Sequence, residues 1–206
     1  MIKQITQTFN LSQNQEDILD ALRPFLPGVW DSSRVSEIKE DIHNQLATIQ
    51  SDNCCYCGLK MNETGRAEIE HIANKGGKKK PKYTEFVFTK KNLALACQFC
   101  NSSSKKGQTD TLKSIDVTNY ENCTFKIVHP YLDDPAEHFR WTKGRFKILI
   151  SGISDEGRES IELFGLDEEA HTFARAKQRM FEKKLSRYNA RQAIKDRVIR
   201  ILTFKE

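Results

Sequence analysis

The chain has 206 residues, of which 38% are hydrophobic and 30% charged, with a net charge of +5 and six cysteines. No stretch approaches the ~18 consecutive apolar residues of a membrane span, which argues against a membrane-spanning protein. The first residues lack the apolar core of a signal peptide, so the expected location is the cytoplasm. Without a signal peptide, the six cysteines are expected to be free thiols or metal ligands and not a framework of disulfide bonds.

The positive charge is concentrated in two short segments. Residues 71–106 and residues 175–200 each carry +8, whereas residues 1–70 carry −5 and residues 107–174 carry −6. Clustered cations favour a polyanionic partner such as nucleic acid, although lysine-rich loops and helix faces are often simply solvated. Charge alone therefore leaves nucleic-acid binding open.

Two amphipathic helices are predicted in residues 1–50. The first covers residues 13–23, where Ile18, Leu19 and Leu22 recur at helical spacing before Pro24. The second runs from about residue 32 or 33 to residue 49. Its apolar side chains recur at steps of three or four residues and form one stripe: Val35, Ile38, Ile42, Leu46 and Ile49. Both helices are expected to serve packing.

The chain contains two C-x2-C pairs, Cys54 with Cys57 and Cys97 with Cys100. Each pair can direct two thiolates from a tight turn to one ion, and two pairs complete a tetrahedral zinc site. Cys55 is too close to its neighbours for the usual ligand spacing, and Cys123 has no partner in sequence, so neither is expected to bind the metal. Because a four-thiolate zinc ion has no open coordination position, its expected role is structural.

The residues between the two pairs carry the candidate chemistry. Residues 68–72 alternate polar and apolar side chains, which predicts a strand. Within it, Glu70 offers a carboxylate for a hard divalent ion and His71 an imidazole for general base catalysis. Asn101 directly follows Cys100, the last of the four paired cysteines, near the start of a predicted helix over residues 101–106. Its amide oxygen is a further candidate metal ligand.

These features together resemble the HNH, or ββα-metal, endonuclease family over about 50 residues. The matching residues are Cys54, Cys57, Glu70, His71, Ile72, Asn92, Leu93, Cys97, Cys100 and Asn101. The resemblance implies that His71 deprotonates a water molecule and that Glu70 and Asn101 hold one Mg²⁺ or Mn²⁺ ion on the scissile phosphate. It also implies that Asn92 constrains the loop or orients the base.

Three positions depart from the family pattern. Glu70 stands where the family often has Asp or His, and Asn74 stands where it often has proline. The family often has a lysine three residues after the position of Asn101, and in this chain the lysine, Lys105, comes one residue later. The basic loop after His71 is a candidate for phosphate contacts, with a solvated insertion as the alternative. The candidate nucleic-acid-binding residues are Lys75, Lys78, Lys79, Lys80, Lys82 and Lys105.

The last part of the chain is predicted to contain short strands and one long helix. The predicted strands are residues 125–129, a hairpin of Phe139–Trp141 with residues 145–150 around a Gly144 turn, and residues 159–163. Residues 167–202 form the predicted helix. Residues 129–139, which begin with His129-Pro130-Tyr131, the Gly144 turn and residues 161–166 follow in an order that resembles the HNH nucleases of Septu-type anti-phage systems, the PtuB group, and their retron-linked relatives. That resemblance implies a complex with a PtuA-type ATPase.

The expected fold is α+β, with a zinc-stapled ββα-metal core, flanking N-terminal helices, a short β hairpin region and a long C-terminal helix. Its predicted segments are a helical region 1–50, a nuclease core 51–122 and an extension 123–206. The expected function is metal-dependent cleavage of nucleic acid, with DNA as the expected substrate. A non-catalytic zinc module that binds DNA or a protein, and a thiol redox protein, are the alternatives.

Overall fold

The computed structural model describes residues 1–61, 65–77, 80–143 and 146–202. Its helices are α1 Gln13–Asp20, α2 Ser36–Ile49, α3 Gln98–Asn101, α4 Pro135–His138, α5 Asp155–Phe164 and α6 Glu169–Leu202. Its strands are β1 Ala67–His71, β2 Gly76–Gly77, β3 Lys80–Pro81, β4 Leu93–Cys97, β5 Leu112–Ser114, β6 Thr124–Phe125, β7 Phe139–Trp141 and β8 Ile150–Gly152. All of these strands form two-stranded antiparallel pairs, so the predicted α+β class is confirmed.

The two N-terminal helices form as their apolar spacing predicts. α1 begins with a capping box, in which Ser12 and Gln15 satisfy each other's backbone N–H groups. It ends at Asp20, earlier than predicted, because residues 22 and 23 already bond three residues back in tighter turns. α2 begins at Ser36, later than predicted, because residues 33–35 form a tighter 3-10 turn, and Ile38, Ile42 and Leu46 of its apolar stripe are buried in the core.

The pairing of β1 with β4 is the centre of the fold. His71 at the end of β1 lies opposite Leu93, and Ala67 at the other end lies opposite Cys97. β4 is buried at every position, as a strand covered on both faces should be. This register places the end of β1 beside the start of β4.

The predicted helix over residues 101–106 is wrong. The helix is the single turn α3, which starts after Cys97 and has Asn101 as its last residue. The second cysteine pair itself bends the chain into this turn, and the following residues form turns in which the Lys106 N–H donates to the Cys100 carbonyl oxygen. Lys106 is thereby directed into the core.

The predicted strands near the C-terminus are only partly confirmed. The strand expected over residues 125–129 is limited to β6, and the hairpin exists as β7 paired with β8, in which Phe139 lies opposite Gly152. Gly144 and Arg145, the predicted turn and the start of the second strand, lie outside the described residues.

The strand predicted over residues 159–163 is wrong because this segment belongs to α5. Ser154 caps the start of the helix by accepting the Gly157 N–H, and Gly165 ends it in the left-handed conformation at φ 61°. Ser160 and Phe164, one helical turn apart, are its buried face.

The long C-terminal helix is confirmed as α6. Its first turns pack on the core through buried His171 and Arg175. Further along, Phe181, Leu185 and Tyr188 are exposed by 65%, 46% and 64%. The side chains of Val198 and Ile201 lie outside the described residues.

One hydrophobic core joins the three predicted segments. Phe9, Leu95 and Phe164 come from the three segments in turn and belong to the same buried cluster. The proposed boundaries near residues 50 and 122 remain a prediction. Among the described helices, none has both the length and the apolar content that a bilayer crossing requires.

Candidate active site and metal centre

The two cysteine pairs converge on one buried point. The sulfur atoms of Cys54, Cys57, Cys97 and Cys100 all lie within 4.8 Å of one another. The Cys57 and Cys97 sulfurs are 3.9 Å apart, close to the ~3.8 Å that separates thiolates bound tetrahedrally to zinc at ~2.3 Å. The four side chains therefore fit a structural zinc ion.

The backbone around the first pair explains why Cys55 stays outside this cluster. Gly58 adopts φ 67°, and its N–H donates to the Cys54 carbonyl oxygen, which closes the turn. The Cys55 N–H donates to the Leu95 carbonyl oxygen and so ties the turn to β4. Cys123 is buried elsewhere, where its sulfur accepts the Asp116 N–H.

A histidine that the sequence left without a role lies beside the metal centre. The Nε2 atom of His171 is 3.7 Å from the Cys100 sulfur, and its Nδ1 atom is 2.7 Å from the Gly165 carbonyl oxygen. His171 therefore connects the start of α6 to the cysteine cluster.

His71, the predicted base, is held in a defined orientation. Its ring packs edge-on against Trp30, and its Nε2 atom is 3.1 Å from the Val87 carbonyl oxygen. Because a carbonyl oxygen can only accept, Nε2 carries the proton and Nδ1 carries the lone pair. Burial, with a smaller contribution from Lys75, lowers the pKa of His71 to about 3, so the ring is neutral near pH 7.

Glu70, the predicted metal ligand, forms a buried ion pair with Lys106. The Lys106 Nζ atom is 2.8 Å from Glu70 Oε1 and also donates to the His71 carbonyl oxygen. Lys106 is 1% exposed, and the Tyr56 hydroxyl donates to the same carboxylate at 3.3 Å. Burial raises the pKa of Glu70, and the Lys106 ammonium opposes that shift. Nothing in the sequence distinguished Lys106 from the other lysines of its segment.

Asn101 contacts a carboxylate that the sequence interpretation missed. Its Nδ2 atom donates to Glu68 Oε2 at 2.9 Å, and no hydrogen bond joins it to Glu70 among the described residues. Glu68 and Glu70 are two positions apart on β1 and so share one face of the strand. The alternation of polar and apolar residues along the predicted strand could therefore have identified Glu68 as a second candidate ligand beside Glu70.

No second preformed cluster of metal-binding side chains accompanies the cysteines in the described parts of the chain. There, the cysteine cluster is the one set of three or more His, Cys, Asp or Glu side chains close enough to share an ion. An ion at Glu70 would therefore need oxygen ligands from amides, water or a substrate.

Asn92 is fully buried and ties together the two segments that flank His71. Its Oδ1 atom accepts the Ala73 N–H at 2.7 Å, and its Nδ2 atom donates to the Phe86 carbonyl oxygen at 2.9 Å. Ala73 follows His71 closely, and Phe86 precedes the Val87 that bonds the histidine ring. These bonds join the two flanking segments, and the role of Asn92 in a reaction stays a prediction.

The basic residues near the site differ in how they are engaged. Lys82 pairs with Asp110 at 3.4 Å, and Lys105 pairs with Glu168 at 2.8 Å. Lys75 lies close enough to His71 to influence its pKa. The side chain of Lys80 and all of Lys78 and Lys79 lie outside the described residues.

No protein-family model matches the chain. The chain is similar to the Septu protein PtuB of Bacillus mycoides (strain KBAB4), with 29% identity over 152 residues. The aligned region covers 67% of this chain and 50% of that protein, so the chain spans about half the length of the curated relative it matches. This similarity confirms the resemblance to PtuB inferred from the sequence.

Proposed function

We propose that the protein is an HNH endonuclease that acts in anti-phage defence and cleaves DNA. The observation that carries the proposal is the orientation of His71, whose Nε2 atom is fixed on the Val87 carbonyl oxygen. The similarity to PtuB supports the defence role. The position of His71 at the end of β1, opposite the first residue of β4, supports assignment to the ββα-metal fold.

The chemistry proposed for His71 is general base catalysis. Its neutral ring offers the Nδ1 lone pair to a water molecule, and the resulting hydroxide attacks the scissile phosphorus while the bond from phosphorus to the leaving oxygen breaks. The leaving oxygen takes its proton from solvent water. The hydrogen bond from Nε2 to Val87 stabilises the imidazolium that forms when Nδ1 takes the proton. Asn92 acts by holding the segments on both sides of the ring.

Two metal sites complete the proposal. The four cysteines hold a structural zinc ion, in line with their spacing and burial. Glu70 and Asn101, with Glu68 added by its contact to Asn101, supply the oxygen donors that Mg²⁺ or Mn²⁺ prefers. When bound, that ion supplies positive charge for the scissile phosphate and the leaving oxygen.

One observation favours the alternative of a non-catalytic zinc module. The Glu70 carboxylate already has a buried ammonium partner in Lys106 at 2.8 Å, so it has a structural role without a divalent ion. A module of this kind would bind DNA or a protein and ignore Mg²⁺. The two candidate functions are therefore separated by cleavage and by metal dependence.

The test replaces His71 with Gln, whose amide reaches toward Val87 but cannot take up a proton. We expect the variant to stay folded, to keep one zinc ion per chain and to lose Mg²⁺-dependent plasmid cleavage by at least 100-fold, the usual scale of general base catalysis. His43→Gln, on α2 and away from the site, is the control and should cleave normally. Equal cleavage by His71→Gln and the parent would overturn the proposal.

The proposed complex includes a PtuA-type ATPase, and α6 is the surface best suited to meet it. Phe181, Leu185 and Tyr188 are spaced four and three residues apart, so they form one exposed stripe on the helix. Lys184 and Arg191 lie beside this stripe at helical spacing. A nucleic-acid backbone would not bury the apolar side chains, and the +8 charge of residues 175–200 disfavours a second copy of the helix. An apolar surface with acidic edges on the ATPase fits best.

A further inference from the structure

A buried chain of hydrogen bonds links Asn92 to two residues outside the segment that resembles the HNH family. The Tyr120 hydroxyl donates to Asn92 Oδ1 at 2.9 Å, and the same hydroxyl lies 3.0 Å from His129 Nε2. All three side chains are buried. The proposed function assigns no role to Tyr120 or His129.

The direction of this chain follows from the backbone around His129. The N–H groups of Tyr131 and Leu132 both point to His129 Nδ1, at 3.1 and 3.2 Å. Because backbone N–H groups can only donate, Nδ1 is an acceptor and the ring proton is on Nε2. His129 therefore donates to the Tyr120 oxygen, which leaves the Tyr120 proton directed at Asn92.

The chain of hydrogen bonds ends at Asn92, which bonds the segments on both sides of the proposed base, His71. Asn92 Oδ1 accepts from Tyr120 and from the Ala73 N–H, while its Nδ2 atom donates to the carbonyl oxygens of Phe86 and Ala73. With both lone pairs and both protons used, the amide is fixed in one orientation. Ala73 lies on one side of His71, and Phe86 adjoins the residue that bonds its ring.

We infer that Tyr120 and His129 are positioning residues for His71, acting through Asn92. The orientation of His71 by this hydrogen-bond chain rests on geometry alone. The effect of that orientation on cleavage rests on the proposed function. The hydrogen-bond chain also gives a role to the motif His129-Pro130-Tyr131, in which the Tyr131 hydroxyl donates to the Leu93 carbonyl oxygen at 2.7 Å and so anchors the motif to β4.

The test combines Tyr120→Phe with two readouts. The first is the ¹H and ¹⁵N NMR signals of the His71 ring, which report its tautomer and its hydrogen bond without any cleavage. The second is the split between kcat and KM for a DNA substrate. We expect altered His71 ring signals, kcat reduced about tenfold and KM unchanged, since a misplaced base loses rate and not affinity.

Tyr83→Phe is the control because it also removes a tyrosine hydroxyl that donates a side-chain hydrogen bond, in this case to Asp110 at 2.9 Å and not to Asn92. It should leave the His71 signals in place. His129→Gln, which keeps a donor toward Tyr120, should retain more of the parent kcat than His129→Met, and this rescue would not follow from a packing role.

The inference and the proposed function fail in different ways. Unchanged His71 ring signals in a folded Tyr120→Phe protein would overturn the inference, whatever the activity. Altered signals in a protein whose parent cleaves no DNA would support the positioning chain and would contradict only the proposed function.

Discussion

The core around β1 and β4 buries polar side chains, whereas the outer part of α6 exposes apolar ones. In the core, Glu70, Asn92 and Lys106 are buried, yet each has a partner within the chain. On α6, Phe181 and Tyr188 are apolar or aromatic, yet they are exposed. The comparison indicates that the core pairs its buried polar groups within the chain, whereas α6 leaves an apolar stripe exposed, which is the surface proposed to meet another molecule.

This contrast predicts that loss of the structural metal has the largest effect on the stability of the fold. In Cys97→Ser, zinc content should fall well below one per chain and the protein should lose its folded core. Structural zinc contributes roughly 10 kcal/mol or more of binding free energy in small zinc domains, which is comparable to the whole free energy of unfolding of a typical domain. Zinc analysis and a thermal melt followed by circular dichroism measure both effects.

Cys123→Ala is the control for this variant, because Cys123 is buried but lies outside the cluster. It should keep one zinc ion per chain. A Cys97→Ser protein with the melting temperature of the parent would show that the four cysteines do not carry the fold.

The second prediction concerns the buried ion pair. Lys106→Met should lower the free energy of unfolding by about 3 kcal/mol, because it leaves the Glu70 carboxylate buried without its cation. Lys105→Met, the adjacent lysine with a more exposed partner in Glu168, should cost less than about 1 kcal/mol. Urea unfolding of the two variants measures the difference.

The double variant with Glu70→Gln sharpens this result. Removing the charge of Glu70 should restore part of the stability lost in Lys106→Met, since no uncompensated carboxylate remains. If the proposed divalent ion binds at Glu70, Mg²⁺ should raise the melting temperature of Lys106→Met more than that of the parent. Equal stability of Lys105→Met and Lys106→Met would contradict the contrast between buried and exposed pairs.

The third prediction is a pH dependence of stability that arises in the core. Burial lowers the pKa of His129 from 6.5 to about 3 in the native state. As the pH falls, His129 therefore becomes protonated at a higher pH in the unfolded chain than in the native protein. Its contribution to stability is therefore present above pH 6.5 and is lost as the pH falls toward 3. The slope is at most about 1.4 kcal/mol per pH unit.

Urea unfolding between pH 7 and pH 5 tests this contribution. His129→Gln lacks the titrating group, so its stability should fall less steeply with pH than that of the parent. Identical slopes would show that His129 is not held neutral in the native core.

The smallest effect on stability is predicted for α6. Leu185→Asp should change the free energy of unfolding by less than about 0.5 kcal/mol, because Leu185 is already largely exposed. The same change should abolish co-purification with a co-expressed PtuA-type ATPase. Ser186→Asp, exposed and adjacent in sequence but turned away from the stripe, should leave the complex intact. Loss of the complex in both variants, or in neither, would contradict the assigned surface.

Short-range spacing made the metal centre and the central strand predictable. The C-x2-C pairs fix which thiolates share a turn, and the alternation of residues 68–72 placed β1 within one residue at each end. The apolar stripe of α2 was equally visible, because a helical period needs no information from the rest of the chain.

Contacts between distant segments were not predictable. Lys106 meets Glu70 only because α3 is a single turn that sends the following residues back into the core. α5 was mistaken for a strand because Ile161 and Leu163 alternate with polar residues in the short segment 159–163, which is too short to exclude either period. The caps of the helix at Ser154 and Gly165 lie outside that segment. The link from His129 through Tyr120 to Asn92 depends on tertiary packing that no local pattern encodes.

The most direct test of the central claim is a Mg²⁺ titration of plasmid cleavage by protein that carries one zinc ion per chain. We predict that cleavage rises with Mg²⁺ and stops when Mg²⁺ is withdrawn, while the zinc ion remains bound. Binding of the plasmid without cleavage at any Mg²⁺ or Mn²⁺ concentration, with or without the ATPase, would contradict the nuclease assignment and favour the non-catalytic zinc module.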